Sequence, residues 1–237
     1  MVTSEIFYKR DFKKISTNSK LVLLITGILI LVGAFGFYLL ETAGGGVLNT
    51  ESFGASMLES FFQSIVARTA GFYSVDLSKI KISTSILLIG LMFIGGCPGS
   101  TAGGVKTTTF GVLLISTISV IKNEKEPVIF GRSISDESIK KALSIFMISL
   151  TIVLLVSFTI SITDDFNFID ILYETVSALA TVGASRGITA DLSRIAKILL
   201  GFCMYLGRIG PMTMAYAFGL KAEDKMIKYP ETFISLG

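Results

Sequence analysis

Histidine and tryptophan are both missing from the 237 residues. Without histidine the chain lacks the commonest general base at neutral pH and the commonest metal-binding side chain. Cysteine is scarce: Cys97 and Cys203 each lie inside a long apolar run, which speaks against a disulfide framework or a zinc site. Charge is scarce too, at 16% of residues, where a soluble domain uses about a quarter to cover its core with a wetted surface. Apolar side chains fill the place of the missing charges, with 51% hydrophobic residues and a mean hydropathy of +0.71. That balance points to a multi-pass protein of the cell membrane with lipid as its surroundings. The net charge of +3 is small, so no nucleic-acid partner is expected.

A bilayer core of roughly 30 Å needs about 20 apolar residues as a helix. Residues 21–40 and 142–162 contain no charge and fit, and 198–220 fits apart from Arg208. The first run follows a basic segment and has no small-residue cleavage site before Glu41, so it reads as a retained span. The stretch 82–120 is too long for one span and holds a single charge, Lys106. It is interrupted by Gly95-Gly96-Cys97-Pro98-Gly99-Ser100-Thr101-Ala102-Gly103-Gly104, a composition that disfavours regular helix.

Two shorter apolar segments, 52–68 and 169–180, cannot cross the bilayer, and each runs into a small glycine-containing motif. The motifs are Thr69-Ala70-Gly71-Phe72 and Thr181-Val182-Gly183-Ala184. A short helix followed by irregular backbone at membrane depth is tolerated only where it is buried in protein or lines a cavity, which describes a pore loop. Thr69 and Gly71 recur as Thr181 and Gly183 at an offset of 112, and Asp76-Leu77-Ser78 recurs as Asp191-Leu192-Ser193 at 115.

The expected fold is therefore all-α and integral to the membrane, built from two span–pore-helix–filter-loop–span repeats at 21–121 and 142–220. A basic cytoplasmic segment at 1–20, a linker at 122–141 and a tail at 221–237 complete it. Basic residues fix the orientation: Lys9, Arg10 and Lys20, then Lys122, Arg132 and Lys140, then Lys221 and Lys225 all fall on one side, the cytoplasm. The glycine motifs then enter from outside.

A cation that sheds its water needs a ring of oxygens, which backbone carbonyls and threonine hydroxyls can supply. Glycine permits the backbone angles that turn successive carbonyls to one axis. The preceding short helix aims its partially negative C-terminal end at the same place. Thr69, Ala70, Gly71, Phe72, Thr181, Val182, Gly183 and Ala184 are accordingly the candidate ion-binding residues, with no metal site beyond that filter. The segment around Gly99 and Gly104 has the glycine spacing of a nucleotide-binding loop, but Val105 stands where the lysine belongs and Lys106 comes one residue late.

Together with Gly99-Ser100-Thr101-Ala102-Gly103-Gly104-Val105-Lys106-Thr107 and Tyr205-Leu206-Gly207-Arg208-Ile209-Gly210-Pro211, the two motifs resemble the Trk/Ktr/HKT superfamily of potassium transporters. Within it the chain is similar to the third and fourth repeats of the Ktr membrane subunit, half of a four-repeat potassium-channel-like pore. The resemblance implies potassium uptake with K⁺ as permeant ion, Na⁺ as a stimulating ion and no covalently bound cofactor. It also implies a homodimer of full subunits and a cytosolic nucleotide-binding regulatory ring. The two missing repeats must come from elsewhere, either a separately encoded first half or a second copy; a nonfunctional fragment is the alternative. A membrane-bound enzyme is disfavoured, since no nucleophile stands with a base.

By the same resemblance, the break at Gly95, Gly96, Gly99, Ser100, Thr101, Ala102, Gly103, Gly104 and Lys106 corresponds to an intramembrane gate beneath the filter. Arg208 is expected to face the pore there, contact the loop and raise an electrostatic barrier. Asp76 and Asp191 are expected to cap the helices that follow them. Asp164 is expected in a solvated turn or at the outer mouth, and Arg68 in an ion pair with Glu59 or Glu174.

Overall fold

A computed structural model describes residues 15–43, 45–48, 52–100, 102–124 and 126–210. Seven helices occur among them. The first, α1 (Thr17–Thr42), and the fifth, α5 (Asp136–Thr163), are the two described helices long and apolar enough to cross a membrane. At 26 and 28 residues they reach about 39 and 42 Å, from a rise of 1.5 Å per residue. Their outer faces are bare hydrocarbon, with Leu39, Phe158 and Ile162 each more than 60% exposed. Their inner faces bury residues at helical spacing, Val22, Ile25, Leu29, Gly33 and Phe37 on α1 and Ser149, Val153, Ser157 and Ile160 on α5.

The two glycine motifs follow short helices, α2 (Phe53–Val66) and α6 (Phe168–Leu179). The interrupted stretch folds as α3 (Ile82–Phe93) and α4 (Thr107–Ile121), neither long enough to span alone. The last described helix is α7 (Arg194–Ile209). Helices α2, α3 and α4 pack on α1; α6 packs on α3, α5 and α7; and α4 packs on α5. Apolar solvent supplies no hydrophobic drive between helices, so close approach and internal hydrogen bonds must hold them. Gly33 of α1 provides one such approach: a Cβ there would press on Ser64 of α2 and Leu91 of α3, and the Ser64 hydroxyl donates to the Ile30 carbonyl at 2.8 Å.

At the far end of α1, Glu41 is fully buried and accepts from the Val47 and Lys81 backbone amides, each at 3.0 Å. The Lys81 ammonium donates in turn to the Leu40 carbonyl at 2.8 Å and to that of Ala43. This pair of residues ties the end of α1 to the start of α3.

Two expectations need correction, and the linker carries structure of its own: β1 (Val128–Ile129) and β2 (Arg132–Ser133) pair antiparallel, and α5 begins at Asp136, inside the expected 122–141 segment. Positive φ at Phe130 and Gly131 makes the two-residue turn that matches strand twist. Of the expected span at 198–220, α7 covers the described part up to Ile209 and stops where Gly210 takes φ +94°; 211–220 lie outside the described residues. Asp76 closes its own turn, accepting from the Ser78 amide at 3.1 Å and hydroxyl at 2.6 Å, while Lys81 occupies the N-cap of α3. Ser193 rather than Asp191 caps α7, and Asp164 accepts from the Ser193 amide at 2.6 Å and hydroxyl at 2.8 Å. Hydrogen bonds from Thr163 and Ser193 keep the Asp164 carboxyl below the usual carboxylate range. Residues 1–14 of the expected 1–20 segment, residues 211–237 and Thr101 in the loop lie outside the described residues.

Candidate functional site

Helix α2 ends at Val66 and α6 at Leu179, each running directly into its motif. Thr69 and Thr181 both take positive φ, +75° and +54°, and so do Gly71 and Gly183, +73° and +86°. For a β-branched residue this region is rarely occupied, and it costs about 1–3 kcal/mol unless the surroundings impose it. The same strain at the same place in both motifs marks a shared backbone path. The Ala70 amide donates to the Val66 carbonyl at 3.2 Å. Those of Thr181 and Val182 donate to Ala178 and Ser177 at 3.0 and 2.9 Å. Amides are thus turned back to the helix ends. Among the described residues nothing donates to the backbone carbonyls of 69–72 or 181–184.

The two motifs meet. A Cβ on Gly71 would sit 2.8 Å from the Val182 carbonyl oxygen, and one on Gly183 would sit 3.8 Å from the Gly71 Cα. Val182 and Ala184 are buried and Phe72 is exposed, so the second motif is the more deeply packed.

The loop between α3 and α4 closes at its base through a parallel bridge between Ile94 and Val105. The Val105 amide donates to Phe93 and the Thr107 amide to Gly96, both at 3.1 Å. Gly95 and Gly96 open the loop; Gly99 and Ser100 turn it, with the Ser100 hydroxyl donating to the Cys97 carbonyl at 2.6 Å. Ala102, Gly103 and Gly104 return it. The Lys106 ammonium donates to the Ala102 carbonyl. The Gly103 amide donates to the Thr181 hydroxyl at 2.9 Å, and a Cβ on Gly103 would lie 2.9 Å from the Ala180 carbonyl oxygen. Glycine is what lets the loop lie flat against the second motif.

Arg208 stands in the last turn of α7, within electrostatic reach of Lys106. The residue before it, Gly207, packs so tightly that a Cβ would fall on the Leu179 carbonyl at the end of α6. Arg68 does not pair with Glu59 or Glu174. Its guanidinium donates to the Thr26 carbonyl at 3.3 Å and hydroxyl at 3.4 Å, and to the Gly95 carbonyl at 3.4 Å. It thereby links α1, the first motif and the mouth of the 95–104 loop.

Sequence reasoning overlooked a polar network behind the second motif. Buried Glu174 accepts from the Ser185 hydroxyl at 2.5 Å, the Arg186 amide at 3.0 Å and the Thr189 hydroxyl at 2.8 Å. A cavity of about 340 Å³ opens beside it, against Thr181 and Gly183. The amphipathic pattern of 168–179 was the available signal, since it places Asp170 and Glu174 one turn apart. Among the described residues, groups of three or more His, Cys, Asp or Glu that could hold a metal ion are absent.

Comparison with known proteins matches residues 15–229 to TrkH, described as a cation transport protein. The chain is 36% identical over 230 residues to the Ktr system potassium uptake protein B of Vibrio alginolyticus, covering 97% of this chain and 50% of that protein. It is 38% identical over 236 residues to the same-named protein of Bacillus subtilis (strain 168), covering 100% and 53%. It is 36% identical over 243 residues to the potassium/sodium uptake protein NtpJ of Enterococcus hirae, covering 100% and 54%. The crystal structure of the potassium transporter TrkH from Vibrio parahaemolyticus aligns with a TM-score of 0.70 at 20% identity, over 90% of this chain and 45% of that one. At that identity the likeness speaks for the fold. The chain spans about half the length of the curated relatives it matches. On the match to residues 15–229, the chain belongs to the TrkH family of cation transport proteins.

Proposed function

We propose that this chain supplies two strands of a potassium-selective filter in the cell membrane, with the 95–106 loop as the gate beneath it. The observation that carries the reading is the meeting of two Thr-X-Gly loops with matched positive φ and with carbonyls that accept no hydrogen bond among the described residues. Alternating the sign of φ from one residue to the next turns successive carbonyls to the same side. Thr69, Ala70, Gly71 and Phe72 lie beside Thr181, Val182, Gly183 and Ala184 as neighbouring walls of the ion path, and their oxygens replace part of the hydration shell of K⁺. The C-terminal ends of α2 and α6 add partial negative charge at the same place.

Gly103 resting on Ala180 and Thr181 supports a gating role, since a loop in that position obstructs the inner end of the filter. Lys106 and Arg208 then set two positive charges along the exit and raise its barrier to cations. Movement of the loop, made of small side chains, opens the path without large steric cost.

Two strands supply half of a coordinating ring, and half the relatives' length supports the same count. The remaining strands come from a first pair of repeats or from a second copy of this chain. Na⁺ as stimulating ion, a homodimer of complete subunits and a cytosolic nucleotide-binding ring belong to the same proposal. Growth rescue at low potassium in an uptake-deficient host, with and without a co-expressed first half, tests it alongside rubidium uptake. Rescue with the first half is the expected result. Absence of both growth and rubidium flux in either arrangement overturns the reading and favours a nonfunctional fragment.

A further inference from the structure

The two motifs are not held alike. Arg186, three residues beyond Gly183, directs its Nε to the Asp170 carboxylate at 2.5 Å, and the two side chains are only 10% and 17% exposed. Its Nη1 reaches the other repeat, donating to the Ser85 hydroxyl in the first turn of α3 and to the Ile80 carbonyl at 3.4 Å. Its backbone amide is held by Glu174 at 3.0 Å. Only a planar guanidinium, with donors on several edges, can engage a carboxylate and a neighbouring helix at once. At the positions 112 residues earlier stand Leu58 and Ser74. Ser74 donates to Glu59 and accepts from Gln63 at 3.2 Å, all within its own repeat. Phe72 and Tyr73 beside it are exposed.

We propose that Arg186 is a positioning residue that clamps the second motif to α3 of the first repeat, making 181–184 the stiff, specificity-determining strand and 69–72 the compliant one. The assignment rests on the pore reading for its consequence and on the hydrogen bonds alone for its geometry. A strand anchored on two sides resists contraction around an ion smaller than K⁺, whereas a strand anchored within its own repeat gives way. Discrimination against Na⁺ therefore depends on the clamp.

The test compares Arg186→Gln, Arg186→Lys and Ser85→Ala, with Ser74→Ala as control, in the purified full chain and in the assembled pore. Hydrogen exchange followed by mass spectrometry reads 181–187 and 69–75 separately. Arg186→Gln is expected to speed exchange at 181–187 by about tenfold, the scale on which a lost charge-assisted hydrogen bond acts, and to leave 69–75 unchanged. Arg186→Lys and Ser85→Ala give intermediate values and carry the measurement if Arg186→Gln does not fold. In rubidium uptake, Na⁺ becomes the stronger competitor by a similar factor while maximal uptake is retained. Unchanged exchange at 181–187, equal loosening of both motifs, or a fall in uptake with unchanged competition each overturns the clamp. A wild-type chain that carries no rubidium defeats the pore reading instead, and the exchange data then decide the clamp alone.

Discussion

Replacing Gly71 and Gly183 by alanine separates two positions that look equivalent in the repeat. Both glycines hold positive φ, where an alanine costs about 1–2 kcal/mol from its Cβ against the backbone. At Gly183 that is nearly the whole cost, because the added carbon meets the Gly71 Cα at 3.8 Å, an ordinary contact. At Gly71 the added carbon lies 2.8 Å from the Val182 carbonyl oxygen. Carbon and carbonyl oxygen approach no closer than about 3.3 Å even in favourable contacts, so the two strands must part there by roughly 0.5 Å. The oxygen at that contact is one proposed to bind the ion, and the parting changes its distance from 69–72. Gly71→Ala is therefore expected to lose potassium over sodium discrimination more than Gly183→Ala, and to lose more thermal stability in detergent by the added clash. Rubidium uptake with sodium as competitor, beside a thermal unfolding curve for each variant, measures both quantities. Equal discrimination in the two variants, or a greater loss in Gly183→Ala, would refute the placement of the Val182 oxygen.

On the proposed pore reading, Arg208→Gln removes one of two neighbouring cations and should raise flux by about tenfold, the factor equivalent to 1.4 kcal/mol of barrier. Unchanged or lower rubidium uptake in a folded protein would count against the barrier. Thr181→Val keeps the shape of the side chain but leaves the buried Gly103 amide without its acceptor, a loss of about 1–3 kcal/mol. Faster hydrogen exchange at 102–105 is the expected sign, and protection equal to wild type there would show that the contact holds nothing. Asp76 has its pKa depressed to about 2 by hydrogen bonds from Ser78 and Lys79. A depressed carboxylate contributes its stability above the unfolded value of about 3.9, and loses it as pH falls to about 2. A carboxyl NMR titration with a midpoint near 4 would contradict the Asp76–Ser78 turn.

Much of the architecture is legible in the sequence. The charge-free runs at 21–40 and 142–162 lie within α1 and α5, and the glycine-rich interruption separates α3 from α4. These features are local, since hydrocarbon length and helix-breaking composition act within a few turns. The hairpin at 128–133 escaped notice because its turn is Phe130-Gly131, which carries a weaker signal than Asn-Gly. Arg68 departs from its expected ion pair for a different reason: a guanidinium donates to any nearby oxygen, and carbonyls leave no mark in a sequence. The Thr26 and Gly95 carbonyls took the place expected for a carboxylate. Asp164 likewise found its partner, Ser193, 29 residues away.

The sequence by itself determined the two long apolar helices, the two short helices and the recurring Thr-X-Gly motifs, because each depends on residues adjacent along the chain. Only the tertiary structure decided that Gly71 and Gly183 touch, that Gly103 lies on Thr181, and that Arg186 reaches Ser85 across 101 residues. Such contacts are chosen by how helices pack in three dimensions. A hydroxyl, an amide or a guanidinium can satisfy many partners, and packing alone determines which one is within reach.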